Sequence, residues 1–169
     1  WECLDGTLWI EDGRPYMVFC HEWLQVGDGE VCAMPLSDDL TTATGEPVVL
    51  FRASEPKWVR PVREATEFVT DGPFLYRTKT GALLMLWSSF GDKGYAETVA
   101  QSSDGTLFGK WIQEEVPLMP ENGGHGMLFT TFNGKLRLVL HAPNSPAGAE
   151  RAHYFPITDC GDHLALEIS

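Results

Sequence analysis

Apolar residues lie along this chain in short runs that recur in a fixed order. Each unit begins with a polar, ionisable residue before a Gly, at Asp5, Asp71 and His125. A short apolar run follows, then a turn that contains Gly, then a longer apolar run such as 83–88. Repetition at long intervals is typical of propellers and solenoids. The pattern therefore predicts a repeat architecture before any single residue is considered.

The same pattern predicts four antiparallel strands in each unit. The predicted strands are 7–10, 15–22, 31–36 and 46–51, then 74–76, 83–88, 95–102 and 110–116, then 127–131, 136–141, 152–157 and 163–168. Hairpin turns are indicated by dipeptides such as Asp12-Gly13 and Asn133-Gly134. The segment 54–67 contains Pro56 and Pro61 and is expected to be neither strand nor helix.

These strands predict an all-β fold with three four-stranded antiparallel blades of a β-propeller, in a single domain over 1–169. The approximate blade bounds are 1–53, 68–117 and 123–169. A ring needs roughly four to eight blades, so three leave it incomplete, with apolar faces at both ends. We expect the missing blades either elsewhere in a longer protein or in a partner chain or second copy. A twelve-stranded sandwich is the structural alternative, but it leaves the repeat unexplained.

Charge and composition exclude several classes of function. The net charge is −12, whereas nucleic-acid binding needs a basic surface. No apolar run approaches the roughly 20 residues that span a bilayer, and no polybasic segment suits a membrane surface. The first residue is Trp1 and not Met, so we interpret the chain as a piece of a longer protein. The compartment stays open, with a periplasmic or secreted location slightly favoured over the cytoplasm.

Four cysteines are too few and too scattered to indicate a disulfide scaffold. Cys20 and Cys32 could face each other across a hairpin. Buried free thiols in strands are the favoured interpretation, because free Cys is commonly buried.

The repeat places Asp5, Asp71 and His125 at one depth around a common axis, since the first strand of a blade lines the channel. Two carboxyl groups that converge in this way suit acid/base work such as glycoside cleavage. The alternative is that both Asp-Gly pairs are simple turns. His125, between two glycines, is expected to face the substrate or a metal. His21 and His141 end their second strands and are expected at the other end of the blade, as capping or packing residues.

Aromatic side chains near the inner strands can stack on sugar rings. Phe74 and Trp87 are the predicted substrate-binding residues of this kind, together with His125. Packing in the core is the alternative for both aromatic residues.

Four motifs resemble glycoside hydrolase family 43. Segment 5–18, Asp-Gly-Thr-Leu-Trp-x-x-Asp-Gly-x-x-Tyr-x-Val, resembles the family's Asp-Pro-x-x-Phe segment and the Asp-Gly-x-x-Tyr that follows it. Segment 70–76, Thr-Asp-Gly-Pro-Phe-Leu-Tyr, resembles its Glu-Gly-Pro-x-x-Tyr segment. Segment 109–111, Gly-Lys-Trp, resembles its Gly-Pro-Trp blade ending, and 124–126, Gly-His-Gly, resembles a Gly-His segment near its last blade. The resemblance runs over essentially the whole chain.

The resemblance implies a five-bladed propeller that acts on arabinose- or xylose-containing polysaccharides or oligosaccharides, of which this chain matches the last three blades. It implies that Asp71 is the general acid, that Asp5 tunes and orients this acid, and that His125 is associated with a central calcium or other ion. Asp71 replaces the family's Glu, and Gly6 replaces its Pro. The family's general base lies in the first blade, and this chain does not supply it.

Three hypotheses remain. The chain is part of an inverting glycosidase and inactive alone, or a non-catalytic carbohydrate-binding module. The third hypothesis is an interaction module without sugar chemistry.

Overall fold

The computed structural model describes residues 1–167, and within them the fold consists of three four-stranded antiparallel sheets. The all-β, three-bladed prediction is confirmed. Each sheet is a meander whose strands lie in chain order. We call the sheets blades A, B and C. The strands are, in blade A, β1 (Cys3–Glu11), β2 (Arg14–His21), β3 (Glu30–Pro35) and β4 (Val48–Arg52); in blade B, β5 (Asp71–Arg77), β6 (Leu83–Gly91), β7 (Gly94–Ser102) and β8 (Trp111–Gln113); in blade C, β9 (Gly124–Thr130), β10 (Leu136–Ala142), β11 (Arg151–Asp159) and β12 (Leu164–Leu166).

Several boundaries differ from the predicted ones. β1 is longer than the predicted 7–10, and β12 is shorter than the predicted 163–168. Ile168, the last residue of that predicted strand, lies outside the described residues. A four-residue helix, α1 (Trp23–Val26), follows β2 and was not predicted. No helix among the described residues has the length and apolar character that crossing a membrane requires.

The central strand β6 builds both junctions between blades. Successive side chains of a strand point to opposite faces. Leu83, Met85 and Trp87 therefore pack with blade A, in a core that includes Val18 and Phe51. Leu84 and Leu86 pack with blade C, in a core that includes Leu128, Leu138 and Leu140. The uninterrupted apolar sequence of β6 follows from its burial on both faces.

The two outer faces of the array are open. On blade A, Leu8 is 47% and Ile10 is 52% exposed, on the face opposite to the junction with blade B. On blade C, Met127 is 47% and Tyr154 is 63% exposed, on the face opposite to the junction with blade B. Strand faces of this kind are normally covered by another layer.

Cys20 and Cys32 are both buried free thiols. The register pairs Cys20 with Val31 and Phe19 with Cys32. The two thiols therefore point to opposite faces of blade A, which rules out a bond between them.

Candidate active site

The first strand of each blade contains a β-bulge, at which two residues lie opposite one residue of the second strand. The pairing breaks after Leu4 in β1, after Asp71 in β5 and after Gly124 in β9. The next residue has a positive φ in all three cases: 56° at Asp5, 55° at Gly72 and 55° at His125. Asp5, Gly72 and His125 are thus the equivalent positions.

The predicted equivalence of Asp71 with Asp5 and His125 is therefore wrong by one residue. Asp71 corresponds to Leu4 and Gly124, the last regularly paired positions before the bulge. The sequence pattern aligned each ionisable residue with the Gly after it. In blade B, however, the bulge consists of Gly72 and Pro73, and the carboxyl comes one position earlier.

The three bulges surround a depression of about 230 Å³, which we call the central depression. Its lining residues are Asp5, Gly6, Thr7, Gly72, Pro73, Phe74, His125, Gly126 and Met127. Asp5 Oδ2 accepts a hydrogen bond from the Gly72 N–H at 3.3 Å, and Asp5 Oδ1 lies 3.9 Å from His125 Nε2. A Cβ at Gly72 would lie 2.7 Å from Cδ2 of His125, so the close approach of the imidazole depends on this glycine. One wall of the depression is therefore a carboxylate and an imidazole side by side.

Asp71 lies beside this wall, and its carboxyl is largely buried. Its Oδ2 accepts a hydrogen bond from the Tyr95 O–H at 2.8 Å. Burial raises the pKa of Asp71, the hydrogen bond from Tyr95 lowers it in part, and the negative charge of Asp5 raises it further. The net effect is a raised pKa. A carboxyl group of this kind keeps its proton to higher pH, as a general acid requires.

Glu22 is a further carboxyl near Asp71 that the sequence reasoning missed. It is 6% exposed, and its Oε1 accepts a hydrogen bond from Leu24 N–H at 3.4 Å at the start of α1. Its charge also contributes to the raised pKa of Asp71. Its position directly after β2 could have indicated this, because the end of the second strand lies beside the start of the first strand, near Asp5.

His21 and His141 lie at the same end of their blades as Asp5 and Asp71, so the expected location at the other end is wrong. The register pairs His21 with Cys3 and His141 with Gly124, because an antiparallel second strand ends where the first begins. His21 Nδ1 lies 2.9 Å from Glu30 Oε2. The His141 ring stacks on Tyr95, with centroids 5.4 Å apart. Both are packed against charged or aromatic neighbours, as predicted for packing residues.

The two aromatic candidates have different surroundings. Phe74 lines the central depression and also packs against the core between blades B and C. Trp87 is 0% exposed, packs against Phe51 and Trp58, and donates its Nε1–H to Gln113 at 3.1 Å. Trp87 is thus a core residue, and this burial corrects the prediction that it contacts a substrate. The alternation of side chains along β6 turns Trp87 toward blade A, and this alternation argued against a contact with substrate.

Behind the central depression lie three polar residues of blade B that the sequence reasoning did not select. Tyr95 contacts Asp71, and Ser88 and Glu97 are both 0% exposed. A polar residue inside a strand that is buried on both faces is a signal for such groups, because buried polar groups need partners.

Calcium beside His125 stays a prediction. Within residues 1–167, no group of three or more His, Cys, Asp or Glu side chains is arranged to hold a metal ion. Calcium takes six to eight oxygen ligands, and at His125 the neighbouring Asp5 is the available carboxylate. These residues do not fit a complete calcium site.

The family of the chain follows from its match to a family model. Residues 1–158 match the family model of the glycosyl hydrolases family 43. The chain belongs to this family. No match is found among curated protein sequences.

Several solved structures are similar to the chain. An endo-arabinase from Bacteroides thetaiotaomicron VPI-5482 is 45% identical, with a TM-score of 0.87, over 94% of this chain and 57% of that one. A thermostable family-43 glycoside hydrolase is 21% identical, with a TM-score of 0.83, over 99% of this chain and 58% of that one. An α-L-arabinofuranosidase from Lactobacillus brevis is 18% identical, with a TM-score of 0.74, over 99% of this chain and 58% of that one. The last two similarities concern the fold alone. The chain thus spans somewhat more than half the length of these proteins.

Proposed function

We propose that this family 43 chain carries the acid side of an active site that hydrolyses arabinose- or xylose-containing polysaccharides or oligosaccharides with inversion. The observation that carries the proposal is the raised pKa of the largely buried Asp71, which directly precedes Gly72 in the lining of the central depression and feels the charge of Asp5. The name of the endo-arabinase, which is 45% identical to this chain, supports an arabinose-containing substrate.

In this proposal Asp71 donates a proton to the glycosidic oxygen as the bond to the leaving group breaks. Burial and, to a smaller extent, the negative charge of Asp5 keep the pKa of Asp71 high, and Asp5 also holds the Gly72 amide in place. Phe74 and His125, which line the same depression, bind the sugar. An inverting mechanism also needs a carboxylate base that activates water on the opposite face of the sugar.

We propose that this base comes from a blade outside the chain. The open apolar faces of blades A and C support this, because they suit further blades of the same protein, a partner chain or a second copy. The 169-residue chain alone is then inactive.

A carbohydrate-binding role without catalysis is the second candidate. The observation that favours it is the short Asp71 side chain, of which one oxygen is already bonded to Tyr95. In that case the carboxyl groups only accept hydrogen bonds from sugar hydroxyls.

The leaving group of the substrate distinguishes the two roles. In the full-length protein, Asp71→Asn should lower kcat/KM on arabino- or xylo-oligosaccharides by about 10²–10⁴-fold, the usual contribution of a general acid. The loss should be at least about tenfold smaller on dinitrophenyl glycosides, whose leaving group needs no proton. Asp38→Asn, at an exposed position, is the matched control.

Equal losses on both substrates would remove Asp71 from the role of acid. If the intact protein binds oligosaccharides and hydrolyses neither substrate, the binding role is correct.

A further inference from the structure

A β-bulge removes backbone groups from the regular ladder, and those groups need other partners. At the bulge of β9, His125 and Gly126 lie opposite the single residue Leu140. Their amides bond to blade B. The His125 N–H donates to Ser88 Oγ at 2.7 Å, and the Gly126 N–H donates to Glu97 Oε2 at 2.9 Å.

Glu97 connects these two bonds. Its Oε2 also accepts the Ser88 O–H at 2.6 Å, so one carboxyl oxygen holds both the serine and the Gly126 amide. The residue lies in the middle of β7 and is 0% exposed. The carboxyl therefore reaches the bulge from the neighbouring blade and from inside the core.

Gly126 is the residue that permits this approach. A Cβ there would lie 2.9 Å from Glu97 Oε1 and 3.0 Å from Leu138 Cδ1. The glycine, the bulge and the buried carboxyl thus fit one another.

The second oxygen of Glu97 has no hydrogen-bond partner within residues 1–167. A buried, half-bonded carboxyl group is unfavourable as an anion, because nothing replaces its lost hydration. Burial accordingly raises the pKa of Glu97 to about 8, against the opposing hydrogen bonds from Ser88, Gly126 and His125. At neutral pH the group is then mainly a neutral acid, which serves as a hydrogen-bond acceptor through Oε2.

We propose that Glu97 is a positioning residue: its buried carboxyl fixes the His125–Gly126 bulge and thereby sets the place of the His125 imidazole in the central depression. His125 adopts a φ of 55°, which non-glycine residues rarely adopt, so its backbone needs such support. Without Glu97 the imidazole leaves its position against Gly72 and beside Asp5. The relevance for sugar binding rests on the proposed function, whereas the position of the ring does not.

NMR of the protein with labelled histidine and labelled backbone amides tests the proposal. The measured signals are the exchange rate of the Gly126 amide and the ring resonances of His125. In Glu97→Ala, exchange of the Gly126 amide should become roughly tenfold faster, since it loses its acceptor. The ring resonances of His125 should shift in the same variant. In Glu97→Gln, the amide oxygen replaces Oε2, so both signals should stay as in the wild type.

Thr98→Ala is the matched control, because Thr98 is the next residue of β7, is also 0% exposed, and its Oγ1 is also unpartnered within the described residues. It should leave the His125 resonances and the Gly126 exchange rate within about twofold of the wild type. The proposal would be overturned if the His125 resonances and the Gly126 exchange rate were unchanged in Glu97→Ala. Equal shifts in Glu97→Gln and Glu97→Ala would also overturn it.

If Glu97→Ala does not fold, Glu97→Asp tests the same contact. Its side chain is one methylene shorter, so the carboxyl group withdraws from the Gly126 amide. Faster exchange at Gly126 with a shifted His125 ring supports the proposal, and an unchanged ring contradicts it. None of these signals requires a bound sugar. If the protein shows them but binds no sugar, the proposed function is wrong and the positioning role of Glu97 is still supported.

Discussion

The two junctions between blades each contain a carboxyl group that accepts a bulge amide from the next blade. Between blades A and B, Asp5 accepts from Gly72, and its side chain is 25% exposed in the central depression. Between blades B and C, Glu97 accepts from Gly126, and it is 0% exposed. The bulge amide is thus held by a carboxyl group that lines the central depression in one junction and by a fully buried carboxyl group in the other.

This difference explains the distribution of chemistry in the chain. A half-buried carboxyl group keeps contact with water and can act on a neighbour, as the charge of Asp5 raises the pKa of Asp71. A sealed carboxyl is favoured in its neutral form and can only hold structure. The junction of blades A and B therefore contains the proposed acid, and the junction of blades B and C holds the His125–Gly126 bulge.

The largest expected difference between the two junctions is in how stability depends on pH. Glu97→Gln should change this dependence most. The folded-state pKa of Glu97 is about 8, against an ordinary value of 4.5. The folded protein therefore binds more protons than the unfolded chain between these values. The contribution of Glu97 to stability is complete below about pH 4.5 and is lost as the pH rises through about 8, by at most about 1.4 kcal/mol per pH unit.

Denaturant unfolding at pH 5, 7 and 9 measures this dependence. Glu97→Gln should remove it, so that the variant gains on the wild type as the pH rises. The exposed Glu115→Gln removes one charge without burial and serves as control. A wild type and a Gln variant with parallel stability curves would place a charged, not a neutral, Glu97 in the core.

A smaller effect on stability is expected from a substitution on the open face of blade A, which is not packed against another blade in this chain. If further blades cover it, Leu8→Asp should destabilise the full-length protein by about 2–3 kcal/mol, because it buries an unpaired charge. In the 169-residue chain, where Leu8 is 47% exposed, the change should stay within about 0.5 kcal/mol.

Leu24→Asp, on α1 and 59% exposed, controls for the added charge. Equal effects of Leu8→Asp in both proteins would mean that nothing covers this face.

Much of the fold could be predicted from the sequence, because short apolar runs, the alternation of apolar and polar residues, and turns that contain Gly are all visible within a few neighbouring residues. Strand β6, for example, follows from its run of apolar residues. The bulges could not be predicted, since an inserted residue leaves no mark in composition. The misplacement of Asp71 by one position relative to Asp5 and His125 is the consequence.

The site was only partly predictable for a related reason. Asp5 and Asp71 could be selected because ionisable residues beside Gly stand out, and Phe74 because it follows them. Tyr95 and Glu97 lie within strands that otherwise form core, and their role depends on contacts with another blade. Trp87 was selected as an aromatic near the inner strand, but its face of β6 decides its burial. Contacts of this kind depend on register, which a single sequence specifies only indirectly.

The pKa of the Asp71 carboxyl is the most direct test of the account, measured by ¹³C NMR in the wild type and two variants. We predict a wild-type value above the usual range of aspartate. It should fall in Asp5→Asn, which removes a negative charge, and rise in Tyr95→Phe, which removes a hydrogen bond to the carboxylate. An Asp71 that titrates at the ordinary value of 3.8 and ignores Asp5→Asn would contradict its role as the acid of this site.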